Sequence, residues 1–403
     1  MPSEFGRHWA LDPAVDFLNH GSYGAAPRSV LAEQQAWRDR IEAEPVRFFS
    51  ADLEPAMDRA RGALANFVGA DPDDLAFVPN ATTGTNAVLR SLRFAAGDEL
   101  LTTDHAYNAV KNAMEYVADR DGARVVIAPI PFPIDDADTV IEAVMSAVSP
   151  RTRLAVLDHI TSATALVFPV ARLIAELEAR GTETLIDGAH APGQISLEVG
   201  SLGATYYAAN LHKWVCAPKG AGFLWVRPDR QASVRPLAIS HGANSPRTDR
   251  SRFRLEFDWT GTADPSAYLA VPAAIRFGND LLPGGWEALR SRNGVLARSG
   301  RDLLCAALGI PAPAPDAMIG CMASVPLPLE HGPGRVQGVE LYEDPVHDTL
   351  AQLGMQVMVT PWPQRPEGGR WRRLVRISAA AYNDLAQFER LAAALPSAVA
   401  AAA

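Results

Sequence analysis

A chain of 403 residues in which 21% are charged and 48% hydrophobic has an ordinary globular composition, long enough to bury one large core and a smaller one. Its formal net charge of -9, with no basic cluster to offset it, excludes a nucleic-acid binder held by phosphate contacts. No apolar run approaches the roughly 18 residues that span a bilayer and no leader pattern opens the chain, so no membrane association and a cytoplasmic location are expected.

Cys216, Cys305 and Cys321 are odd in number and far apart, which suits free thiols in a reducing compartment. His212 and Cys216 stand four apart, but a lone pair of ligands does not make a metal site, and none is expected.

In chain order, Phe17-Leu-Asn-His-Gly-Ser-Tyr-Gly24 reads as a loop crossing the body. Val30, Gln34, Trp37 and Ile41 then follow helical spacing, as do Leu53, Met57, Ala60, Leu64 and Phe67. From Leu75 short apolar strands alternate with helices: 75–78, 99–103, 124–128, 153–158, 183–187, 205–209 and 222–227 read as strands, and a helix runs from Asn80 toward Phe94. This alternation predicts an α/β fold with a mostly parallel sheet flanked by helices.

The remainder has a different rhythm. A helix over 265–277, a long helix over 286–308, strands at 318–325, 356–360 and 372–378, a helix over 339–353 and a last helix from Asp384 make a smaller α+β unit. Loops are expected at 311–315 and 361–369, and fraying from Ala398. The expected division is a large domain over 21–265 and a small α+β domain made of 1–20 and 266–403.

Ligands of open parallel sheets bind at the carboxyl ends of the strands, so the residues just after each strand are the ones to inspect for chemistry. Thr82-Thr-Gly-Thr85 opens a helix there. Its amides and hydroxyls suit a phosphate, with Gly84 admitting the ligand to the backbone, and they equally suit a plain helix cap. Asp187 ends a strand, where an acid either caps a helix or pairs with a protonated pyridine nitrogen; His190 follows within reach of a ring substituent. His105 and Tyr107 follow another strand as stacking or packing residues.

Arg376 is placed to grip a carboxylate with two parallel hydrogen bonds, whereas Arg372 and Arg373 read as solvated edge-strand residues. Three lysines exist in the chain. Lys111 reads as solvated and Lys219 as a turn residue, while Lys213, after a strand and among Leu211, Trp214 and Val215, is placed to be desolvated into a usable amine.

Leu18-Asn-His-Gly-Ser-Tyr-Gly24, Asn80-Ala-Thr-Thr-Gly-Thr85, Asp104-His-Ala-Tyr-Asn108, Asp158-His-Ile-Thr-Ser162, Asp187-Gly-Ala-His-Ala191, Asn210-Leu-His-Lys-Trp214, Trp259-Thr-Gly-Thr-Ala-Asp264 and Arg376-Ile-Ser-Ala together resemble the fold-type I enzymes of the class V aminotransferase superfamily, in its isopenicillin N epimerase-like branch. The resemblance covers nearly the whole chain. It implies pyridoxal phosphate carried by Lys213 as a Schiff base, with Asp187 at the ring nitrogen and His190 near the ring hydroxyl.

By the same resemblance Thr83, Gly84 and His212 hold the phosphate, and Tyr107, or less readily His105, stacks on the ring. A homodimer with shared sites is implied, Thr262 approaching the neighbouring phosphate, and Arg376 binds the carboxylate of a small amino-acid substrate bordered by Asn19, His20 and Tyr23. The implied reaction breaks a bond at Cα: β-elimination in a C-S lyase, ahead of epimerisation because no second base is evident, with transamination or decarboxylation behind. A non-catalytic cofactor-binding module is the alternative from another class. Cys321 falls in an apolar run read as a strand, which disfavours sulfur transfer through a cysteine on a mobile loop.

Overall fold

The computed structural model describes residues 3–331, 344–363 and 371–402. Seven strands form its largest sheet: β1 (Leu75–Val78), β2 (Glu99–Thr103), β3 (Arg124–Ala128), β4 (Thr152–Asp158), β5 (Glu183–Asp187), β6 (Tyr206–Asn210) and β7 (Gly222–Val226). Their order is β1-β7-β6-β5-β4-β2-β3. The five from β3 across to β6 are parallel, whereas β7 is antiparallel to both β6 and β1.

Continuous apolar runs suit such a sheet because helices cover both its faces. Every residue of β1, β2, β6 and β7 is buried, and only the edge strand β3 exposes apolar surface, at Ile127. Along β6 the side chains alternate. Tyr206 and Ala208 join the cluster formed with α3 (Ala81–Ser91) and α4 (Asn108–Asp121), while Tyr207 and Ala209 join the one formed with α1 (Arg28–Ala43) and α2 (Leu53–Val68).

Gly84 has a packing task beside the one expected of it. A Cβ built there would lie 3.0 Å from the Ala208 Cβ and 3.6 Å from both the Leu224 Cβ and the Val78 Cγ2. The missing side chain therefore seats α3 on the sheet.

A second, antiparallel sheet consists of β8 (Met322–His331), β9 (Met358–Trp362) and β10 (Trp371–Ser378) in the order β9-β10-β8. Several details differ from the sequence reading. The strand expected from Met318 starts at Met322, so Cys321 precedes it, buried all the same. The 356–360 strand divides: Met355–Gln356 pairs in parallel with Asp16–Phe17, and Met358 opens β9.

β10 is the central strand, not an edge, so Arg373 is buried and paired with Asp344 at 2.5 Å. The last helix, α6 (Leu385–Ala401), follows the long α5 (Gly285–Leu308) and carries an Asp384 capping box. Its Ala-rich end is packed rather than frayed, with Ala398 and Val399 buried.

The segment from His20 is a single helical turn, His20–Tyr23, where a loop was expected. Lys111 is buried, not solvated, with its Nζ 3.2 Å from the Asp104 carbonyl. The helix expected over 265–277 breaks at Ala270 into Ser266–Leu269 and Val271–Asp280. Of the helix expected over 339–353, Pro345–Gln352 is helical; its residues 339–343, and 364–369 of the expected loop, lie outside the described residues.

Replacing Gly84 with alanine tests the seating of α3. Overpacking against a fixed strand costs about 1–3 kcal/mol, against about 1 kcal/mol gained in helix propensity. The Gly84→Ala protein is expected to unfold at lower urea concentration than the parent, and Gly84→Val at lower concentration still. A midpoint equal to or above the parent's would show that α3 has room to spare.

Candidate active site

β6 ends at Asn210, and the chain turns through Leu211 to Gly220 before β7; Cys216 takes a positive φ of 61° in that turn. This loop carries Lys213 into the protein, where its Nζ lies 3.1 Å from the His190 Nε2. Burial pulls the amine down to a pKa of about 7; Arg376 acts in the same direction, and Asp187 and Asp158 oppose. Such an amine is substantially neutral at neutral pH and can add to a carbonyl carbon. Burial first, then Lys213, holds His190 well below the usual histidine range, so it is a neutral imidazole, and its Nδ1 is buried with no partner.

Asp158 and Asp187 end adjacent parallel strands and are register partners. Burial pushes both carboxyls up, Asp158 further because Asp187 lies beside it. The Ala189 amide donates to Asp187 Oδ1 at 2.9 Å, and Lys213 adds its charge, so Asp187 is the more readily ionised member of the pair. Lys111 and the Tyr107 backbone offset the cost at Asp158.

Asp158 and Lys111 were not singled out as site residues from the sequence. The signal for Asp158 was present, since an acid ends the strand beside the one ending at Asp187. Lys111 gave none, because polar neighbours on a helix read as a solvated face.

The start of α3 is largely satisfied by protein. Asn80 Oδ1 accepts from the Thr83 amide at 2.9 Å and the Thr83 hydroxyl at 3.1 Å, and Asn210 Oδ1 accepts from the Ala81 amide at 2.8 Å. The buried Thr85 hydroxyl has no partner. His212 is half-buried with Nδ1 3.3 Å from the Ala221 carbonyl oxygen. Thr83 and the segment Trp259–Gly261 line one cavity of about 250 Å³, and Thr262 beside it is exposed.

His105 is a packing residue. Its ring nitrogens meet the Thr164 hydroxyl at 2.7 Å and the Ile130 carbonyl at 2.9 Å, and its ring packs edge-on to Trp362 and against Phe168. Tyr107, just before α4, is 37% exposed.

Arg376 on β10 is buried and donates to the Ser162 carbonyl at 2.7 Å, to Asn19 Oδ1 at 3.2 Å and to Ser22 Oγ at 3.0 Å. Asn19 thus meets the guanidinium directly. His20 turns the other way, its Nε2 2.9 Å from the Lys213 carbonyl and its Nδ1 2.7 Å from the Tyr382 hydroxyl, and Tyr23 is 53% exposed. The structure therefore gathers Lys213, His190, Asp187, Asp158, Arg376, Asn19 and His20, and leaves His105 in its own packing.

The class-V aminotransferase family profile matches residues 24–284. Isopenicillin N epimerase of Amycolatopsis lactamdurans is 37% identical over 401 residues, covering 96% of each chain. Putative L-cysteine desulfhydrase 1 of Oryza sativa subsp. japonica is 36% identical over 345 residues, covering 81% of this chain and 69% of its own. Among solved structures, the cysteine desulfurase CsdA of Escherichia coli superposes with a TM-score of 0.78 at 21% identity, over 100% of this chain and 99% of its own, which shares the fold-type I architecture. A half-buried lysine after β6, an acid ending β5 and a helix N-terminus after β1 stand within the matched span, and the chain belongs to the class-V aminotransferase family.

Proposed function

We propose that this protein is a pyridoxal phosphate enzyme that acts at Cα of an amino acid or cysteine conjugate and cleaves a carbon-sulfur bond by β-elimination. The observation that carries the reading is the desolvated Lys213 amine, lowered to about 7, 3.1 Å from His190 and under the charges of Arg376 and Asp187. These residues fit the cofactor. Lys213 would hold its aldehyde and the Asp187 carboxylate its ring nitrogen, and His190 Nδ1, without a partner among the described residues, is a polar atom free to bond a ring substituent.

Thr83, His212 and the start of α3 would hold the phosphate, with Gly84 also seating that helix on the sheet. Tyr107 is the ring-stacking residue in this reading, because both nitrogens of His105 are committed. The segment 259–263 has pinned ends: Asp258 is held by Arg61 and Arg254, and Asp264 by Arg38 and the Ser266 amide. An exposed Thr262 between fixed ends fits a homodimer in which it reaches the neighbouring phosphate site.

When bound, the cofactor draws off the electrons released at Cα. Arg376 orients the substrate by its carboxylate, with Asn19 and Ser22 fixing the plane of the guanidinium. Lys213, in its neutral form, would take the Cα proton, the electrons passing to the cofactor and then to Cβ as a thiolate leaves. Elimination asks for this one base. Epimerisation, the second reading, favoured by the full-length likeness to the Amycolatopsis epimerase, asks for another on the opposite face. His20 has no nitrogen to offer, which leaves Tyr23. A persulfide route is disfavoured, because burial pushes the thiols of Cys216 and Cys321 up to about 12 and raises that of Cys305.

Lys213 in the cofactor-free protein is expected to titrate near 7. Its acylation by an amine reagent, read by peptide mass spectrometry, would rise through that pH, whereas an ordinary lysine rises near pH 10.4. A midpoint near 10 would remove the desolvated amine. Lys213→Ala is expected to lose the visible absorbance and the borohydride-trapped adduct of the parent; keeping both would sink the cofactor assignment.

For the reaction, incubation with cysteine conjugates and free amino acids in deuterated water is expected to give pyruvate and a thiol. Inverted, deuterated amino acid would instead establish epimerisation, a keto acid transamination, carbon dioxide decarboxylation, and no turnover a binding module. Arg376→Lys replaces a fork with a point charge, and KM is expected to rise about 10-fold or more, the weight of one or two charge-assisted bonds. An unchanged KM would take Arg376 out of the carboxylate role.

A further inference from the structure

The turn at residues 19–24 touches both ends of the site at once. On one side Asn19 Oδ1 and Ser22 Oγ accept from Arg376 Nη2 at 3.2 and 3.0 Å, the Ser22 hydroxyl donates to Asn19 Oδ1 at 2.7 Å, and the Gly21 amide donates to Ser378 Oγ at 3.0 Å. On the other, His20 Nε2 lies 2.9 Å from the Lys213 carbonyl oxygen, and Lys219 Nζ donates to the Gly24 carbonyl at 3.0 Å.

The fit is close against both walls. A Cβ on Gly21 would lie 2.4 Å from the Met322 Sδ, and one on Gly24, where φ is 67°, would lie 2.0 Å from the His212 carbonyl oxygen and 2.9 Å from the Lys213 Cα. Neither glycine has space for a side chain.

We propose that His20 is a positioning residue, which donates from Nε2 to the Lys213 carbonyl, is held in that tautomer by Tyr382, and so keeps the Lys213 amine at a fixed separation from Arg376. The tautomer follows from chemistry. A carbonyl oxygen only accepts, so Nε2 carries the proton, and the bare Nδ1, 2.7 Å from the Tyr382 oxygen, accepts from that hydroxyl. Burial holds His20 down at about 4 and keeps the Tyr382 hydroxyl protonated, so the pair is neutral across the working pH range. The His20 ring packs 4.9 Å from that of Trp214 and 5.7 Å from that of Tyr382, which fixes the direction of the Nε2–H.

The Lys213 carbonyl also accepts from the Cys216 amide at 3.0 Å, so it is the one point where the lysine loop is both closed on itself and tied to the turn. Losing the His20 bond frees the loop to shift relative to Arg376. A misplacement of about 1 Å between base and substrate can cost about 100-fold in rate without weakening binding.

The inference rests on Lys213 being the base, and its test has an arm that does not. His20→Leu removes the donor, His20→Gln keeps an N–H at similar reach, and Tyr382→Phe removes only the hydroxyl that selects the tautomer. In the cofactor-free proteins, amide hydrogen exchange of residues 213–217 is expected to quicken in His20→Leu and Tyr382→Phe and to stay near the parent in His20→Gln. In the loaded enzyme, His20→Leu is expected to lose about 10-fold or more in kcat with KM within about 2-fold, and His20→Gln to recover most of it.

A raised KM at unchanged kcat in His20→Leu would overturn the proposal in favour of a substrate contact. Parent-like exchange and kcat in both His20→Leu and Tyr382→Phe would overturn it in favour of plain packing. Should His20→Leu fail to fold, Tyr382→Phe alone decides by the same two readouts. Failure of the Lys213 assignment is seen separately, in the Lys213→Ala adduct, and leaves the exchange arm interpretable.

Discussion

Taking an ammonium out of water is expensive, and the site is arranged around that expense at Lys213. With no counter-charge the amine would simply lose its proton; Arg376 nearby pushes it further that way, and Asp187 and Asp158 pull it back, so that it settles at about 7. The two acids are subject to the same penalty. They share it unequally, Asp158 being raised further because Asp187 lies beside it. Each group is therefore set by its neighbours: a half-neutral amine, a neutral imidazole at His190 and two carboxyls raised by burial, gathered in one pocket of the fold.

That pocket exists because the sheet brings strand ends together. Asp158, Asp187 and the loop bearing Lys213 follow β4, β5 and β6, three neighbours in parallel, so residues far apart in sequence arrive side by side by register alone. Arg376 comes from the other sheet and has no such guarantee. Its position relative to Lys213 is set by its bond to the Ser162 carbonyl after β4 and by the turn at 19–24, which is held by β10 through Arg376 and Ser378 and by the lysine loop through His20 and Lys219.

The parts of this arrangement that were legible in the sequence are those written as local pattern. Apolar runs of four to seven residues gave the strands of the large sheet, and Lys213, Asp187 and Arg376 stood out by chemical type at strand ends or within a strand. What was illegible depends on partners distant in the chain. Lys111 reads as solvated because its helix neighbours are polar, yet its amine reaches back to the Asp104 carbonyl. Gly84 reads as a ligand cradle, and only the position of Ala208 on a neighbouring strand reveals a packing role. His20 carries no mark in its own stretch that it faces the Lys213 carbonyl, and Arg373 looks like an edge residue until β10 proves central.

The contrast between His20 and Lys213 bears on the choice of chemistry. Two bases on opposite faces of a carbon would need two titratable groups left partly ionisable, each with an unpaired lone pair directed inward. Of the histidines here, His20 and His105 have both nitrogens engaged by neighbours, and His159 has Nδ1 bonded to the Tyr207 hydroxyl at 2.8 Å. Burial has pushed all three down to about 4, so none is an imidazolium able to return a proton at neutral pH. These three imidazoles thus serve to fix geometry, while the Lys213 amine, at about 7, is placed to move a proton. A reaction in which one base removes one proton and the leaving group departs by itself is the one such a distribution serves.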